Sequence, residues 1–100
     1  MPTTNIPACG PFESEAEARE LPAVRAVYTA FRALTGPAVV GGMNAPNRTM
    51  LEDACSAAGV QLGAFDRRIL TWLAGYEPET CAVVAGLIAR AAAAARAGAR

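Results

Sequence analysis

The chain of 100 residues contains no histidine and no lysine. Those two absences remove the side chains that most often act as general bases near neutral pH. No glycine-rich loop ends in lysine, so the phosphate cradle of the P-loop type is excluded. The three cysteines, Cys9, Cys55 and Cys81, are far apart, odd in number and in no C-x-x-C pair. That argues against a disulfide framework, gives no metal-ligand spacing and points to a reducing cytoplasm. A cysteine nucleophile needs a neighbouring base, and none is available. Glu52 and Asp53 are adjacent on a helix and point in different directions, so they are not a paired-carboxylate site. The expectation is a protein that is not an enzyme and uses no cofactor and no metal. Long apolar runs are also lacking: the longest, Cys81 to Ala89, stops at Arg90, whereas a membrane span needs about 20 residues. Pro7, Gly10 and Pro11 break the N-terminal region, which has no charged-then-apolar signal. A soluble, cytoplasmic protein without a membrane partner is expected.

What is present is a globular composition. A hydrophobic fraction of 53% with 18% charged residues is incompatible with disorder as the main state. The length suits one domain with one modest core. Residues 1–11 read as a flexible N-terminal tail and 12–100 as a single helical domain. Nine Arg balance nine acids, so no global field draws nucleic acid or anionic lipid. The charge is nonetheless uneven: Glu13, Glu15, Glu17 and Glu20 crowd the first helix start, and Arg90, Arg96 and Arg100 the C-terminal end. Helix-dipole matching explains both.

Apolar residues recur at helical spacing. Ser14 and Glu17 have capping-box spacing for a short helix near 15–20, and Pro22 suits the first position of the next. Val24, Val27, Tyr28, Phe31 and Leu34 form its stripe, closed by Gly36-Pro37. Residues 36–48 read as a long connection in which Val39-Val40 tuck into the core, or form a lip hinged at Gly41-Gly42. A helix is predicted from Asn47 or Thr49, with Thr49 and Glu52 at capping-box spacing and Gly59 as its left-handed cap. Another follows over 63–74, lined by Phe65, Ile69, Trp72, Leu73 and Tyr76. The simpler reading places these aromatics in the core; the sharper one makes Trp72 and Tyr76, with Phe65, the gate of a small apolar pocket. Pro78 and Glu79 open the last helix, predicted to reach Ala97. No run alternates with period two. The predicted fold is all-α, a compact orthogonal bundle of four main helices plus a short N-terminal helix.

Residues 51–70 (LEDACSAAGVQLGAFDRRIL) resemble the helix-turn-helix of lactose-repressor-type DNA-binding domains. Cys55 meets the need for a small residue at the crossing, Gly59 for a glycine in the turn, and Val60 and Phe65 for apolar anchors. The resemblance implies DNA contacts from Arg48, Gln61, Arg67 and Arg68. Gln61 stands where the family has a Ser or Thr cap, and Leu62 and Gly63 cannot read bases in bidentate fashion. Separately, DRRILTWLAGYEPETCAVVAGLI with SEAEARELPAVRAVY is similar to small proteins encoded by actinobacteria and their mobile elements. That resemblance implies cytoplasmic origin and no particular activity.

The last helix suggests association. Ala82 and Gly86, with Ala85, Ala89 and Ala93 alongside, allow close approach of another helix. Val84, Leu87, Ile88 and Ala91 form a second apolar side, read as an interface with a protein partner or a second copy of the chain. The sequence thus predicts a non-catalytic helical interaction module acting by protein–protein association, self-association included. The alternative is a helix-turn-helix transcriptional regulator.

Overall fold

A computed structural model describes residues 9–32 and 43–98. Among them there are five helices and no strand: α1 (Glu15–Arg19), α2 (Pro22–Arg32), α3 (Asn44–Ala57), α4 (Ala64–Leu73) and α5 (Pro78–Gly98). The fold is the all-α bundle expected, four main helices with a short one at the N-terminal side. Val39-Val40 and the Gly41-Gly42 hinge lie outside the described residues, as does Gly36-Pro37.

Local chemistry explains the boundaries. Ser14 Oγ accepts the Glu17 amide at 3.3 Å, and the Glu17 carboxylate returns to the Glu13 amide at 3.5 Å. These bonds satisfy amides that the helix start leaves unpaired. Pro22 begins α2, where its missing N–H and fixed φ cost nothing. Gly59, at φ +82°, ends α3. The Val60 amide bonds to Cys55 O at 2.9 Å and the Gly59 amide to Ser56 O at 3.0 Å, the paired closure of a Schellman motif. Asp66 accepts the Gly63 amide at 2.9 Å and closes the start of α4.

One boundary differs from expectation. Helix α3 begins at Asn44 rather than Asn47 or Thr49. Pro46 falls within the first turn, where its absent N–H has no intrahelical partner to lose. Thr49 and Glu52 therefore sit inside the helix, and their spacing caps nothing.

The core joins Val24 and Val27 of α2, Met50, Leu51 and Ala54 of α3, and Cys81, Ala82 and Ala85 of α5. Helix α5 is central, packing against α1, α2 and α3. Its small residues permit that closeness: Ala82 and Ala85 are fully buried, and Gly86 is approached by the Cys9 carbonyl, 3.3 Å from where a Cβ would stand. Part of the segment read as a tail thus lies across α5. Beyond Arg90 the helix is mostly exposed alanine. Its 21 residues include a window of mean hydropathy 1.4, which meets the length and composition of a membrane-crossing helix. The nine-residue run ended at Arg90, but the alanines beyond it keep the average high. Six residues of the N-terminal half, Pro78, Glu79, Cys81, Ala82, Ala85 and Gly86, are buried within the bundle.

Candidate functional site: the outer face of α4

Helix α4 is apolar on two sides. Leu70 and Leu73 turn inward and pack against the core cluster. Phe65, Ile69 and Trp72 turn outward, and Tyr76 continues their line onto the turn that follows. None of the ten residues of α4 is buried. Phe65 is 67% exposed, Trp72 62%, Tyr76 47% and Ile69 44%. The placement of these aromatics in the core is therefore corrected. Periodicity shows which faces of a helix are apolar; it does not show whether a neighbour covers them. Among the described residues α4 packs mainly on α3, so one apolar side is satisfied and the other is left open.

The open face is ordered rather than diffuse. The Trp72 and Tyr76 rings meet edge-to-face, with centroids 5.3 Å apart at 75°, a favoured geometry for aromatic pairs. The Arg68 guanidinium lies 6.0 Å above the Phe65 ring, within cation–π range. A shallow groove of about 410 Å³, lined by Arg67, Arg68, Thr71 and Trp72, runs along the basic flank. Among the described residues the aromatics stand exposed as a ridge.

The residues named for DNA contact, Arg48, Gln61, Arg67 and Arg68, are all exposed. Arg67 Nη1 is 3.9 Å from Glu52 Oε2 of α3, and Arg48 lies one turn before Glu52 on the same helix. Arg68 is instead turned to Phe65. The four do not form a patch free of acids and apolar rings. On α5, Val84 and Ile88 are half-buried against the core cluster. Leu87 is 53% exposed and Ala91 is exposed. The α5 face therefore offers one large exposed side chain where α4 and its turn offer four.

A second cluster was not anticipated. Glu79, the second residue of α5, is only 3% exposed. Tyr28 Oη donates to its Oε1 at 2.5 Å and Arg19 Nε to its Oε2 at 2.8 Å. Burial pushes the Glu79 carboxyl up, but the hydrogen bonds from Tyr28 and Arg19 outweigh it, and the carboxyl is held at about 2. Burial, then the bond to Glu79, push the Tyr28 phenol up to about 12. The sequence offered only a helix-dipole role for Glu79, because its two partners lie 51 and 60 residues away. A groove of about 440 Å³ passes this cluster, between Phe12, Glu15 and Ala18 on one side and Val83 and Val84 on the other. Glu79 lines it, and each of its two oxygens already accepts one hydrogen bond. Burial raises the thiols of Cys81, to about 11, and Cys55. Among the described residues no group of three or more His, Cys, Asp or Glu is arranged to hold a metal ion.

Buried Asn47 was read as a helix start. Its Nδ2 instead donates to Ala74 O at 3.1 Å and Tyr76 O at 3.0 Å. Those carbonyls belong to the C-cap of α4 and the turn that follows, so Asn47 pins the end of the aromatic ridge to α3. Neither a protein-family model, nor a curated protein, nor a solved structure matches this chain.

Proposed function

We propose that the chain is a non-catalytic helical interaction module, and that its docking face is the outer side of α4. One observation carries the reading: Phe65, Ile69, Trp72 and Tyr76 stand exposed in a single line with spacings of four, three and four residues. Those are the spacings of a heptad seam, which suits a partner helix rather than a flat surface. With roughly 150–250 Å² for a whole aromatic side chain, the three rings alone leave on the order of 350 Å² open. Contiguous apolar areas of that size on soluble proteins commonly mark binding sites. The chemistry elsewhere points the same way. A carboxylate held at about 2 is a poor proton acceptor at neutral pH, and thiols raised by burial are poor nucleophiles.

A direct test titrates a synthetic amphipathic peptide of about three heptads, leucine at the seam and glutamate at the flanks, into submicromolar protein. Trp72 is the single tryptophan, so its emission reports on this face alone. A blue shift in the wild type that is absent in Ile69→Asp supports the reading. No shift at saturating peptide contradicts it.

DNA binding through α3, the turn and α4 is the second reading, favoured by the exposure of Arg48, Gln61, Arg67 and Arg68. Phe65, Ile69 and Trp72 weigh against it, since a recognition helix with this ridge outward meets the duplex with rings and not with polar groups. Titration with generic duplex at about 50 mM salt, where phosphate contacts are strongest, separates the two. Binding that weakens steeply with salt favours the regulator.

A further inference from the structure

We infer that the partner of the α4 face is a second copy of this chain, its α4 lying antiparallel across a two-fold axis that passes between Ile69 and Trp72. This rests on the reading of α4 as a docking face and adds the identity of what covers it. The stripe Phe65, Ile69, Trp72, Tyr76 has gaps of four, three and four residues, which read the same in both directions. A line of side chains with that property is complementary to itself under antiparallel two-fold rotation, as an isologous interface requires. Phe65 then faces the Tyr76 of the second copy, and Ile69 faces its Trp72.

Size and charge distinguish this arrangement from a parallel one. Parallel pairing sets Trp72 against Trp72 and Phe65 against Phe65, and brings the two Arg68 side chains to the same end. Antiparallel pairing sets the largest side chain of the stripe against the aliphatic one. It also brings Arg68, beside Phe65, to the end of the ridge where exposed Glu77 follows Tyr76. The net charge of zero leaves no overall repulsion between copies.

The area is sufficient for a reversible dimer. Adding Ile69 to the rings brings each face to on the order of 400 Å², hence about 800 Å² for the pair, the size of weak, transient interfaces. A reversible dimer is expected, rather than an obligate one.

Sedimentation equilibrium on the full chain over about 1–300 μM tests this. The expected mass rises from 10.3 kDa toward twice that value. Ile69→Asp stays at the lower mass with unchanged helical circular dichroism, since the side chain is nearly half exposed and outside the core cluster. Orientation is read in a Cys9→Ser background: Phe65→Cys chains cross-link to Tyr76→Cys chains and not to one another. A wild-type monomer throughout the range, or cross-links between two Phe65→Cys chains, overturns the inference. If the monomer still answers the leucine–glutamate peptide through Trp72, only the identity of the partner falls. If it answers neither, the docking face falls with it.

Discussion

Tyr28 and Glu79 are joined by a hydrogen bond that ties α2 to the first turn of α5, with Arg19 of α1 closing the other carboxylate oxygen. Three helices therefore meet on one buried charge. Removing a donor leaves that charge underpaired, which costs about 1–3 kcal/mol. Tyr28→Phe, which keeps the ring, is expected to lower the urea midpoint accordingly. A variant as stable as the wild type means that Glu79 does not depend on Tyr28.

The same cluster sets a pH dependence at both ends. The Glu79 carboxyl is depressed, from 4.5 to about 2, so its stabilisation is complete above the unfolded value and is lost as pH falls from about 4.5 toward 2. Tyr28 is raised, from 10.0 to about 12, so its share is complete below the unfolded value and is lost as pH rises through that interval. Thermal melts should fall off in both windows, and Glu79→Gln should flatten the acidic limb. An acidic limb of equal steepness in that variant assigns acid sensitivity to other carboxylates.

Thiol labelling should divide the cysteines. Cys55 and Cys81 are buried, with thiols pushed up by that burial, and Cys81 Sγ also donates to Leu73 O at 3.4 Å. Cys9 is only half-buried. Native protein at neutral pH is expected to show one fast thiol and two that react only as the fold opens. Equal rates for all three contradict this packing.

Asn47 controls the ridge without belonging to it. Asn47→Ala strands the Ala74 and Tyr76 carbonyls, each of which now accepts a side-chain bond. A loss of about 1–3 kcal/mol is expected, with amides at the end of α4 exchanging before those of α3. Uniform acceleration across all helices argues instead for a general core role. Burial separates this effect from the ridge itself. Leu51, fully buried, should cost about 2–5 kcal/mol on truncation to alanine, whereas Trp72→Ala should leave the monomer nearly as stable.

The contrast between Leu51 and Trp72 shows what could be read in advance. Both are large apolar residues on predicted helices, and the simpler reading of the sequence placed Trp72 in the core. Caps and stops, such as Ser14, Pro22 and Gly59, were legible because they act within a few residues. Asn47 and Glu79 were not, because their partners are 27 to 60 residues away. For α4 a signal was present: Leu70 and Leu73 on one side and Phe65, Ile69 and Trp72 on another exceed what a single contact face can cover. The same excess on α5 was recognised, and there α1, α2 and α3 pack on the helix and its N-terminal half holds the buried residues.

Acrylamide quenching of Trp72 as a function of protein concentration bears most directly on the α4 ridge. In dilute solution the indole should be readily quenched, and at high micromolar concentration it should become shielded as its emission moves to the blue. Strong shielding at every concentration would mean that the chain itself covers the ridge. Free quenching at every concentration would mean that no second copy does.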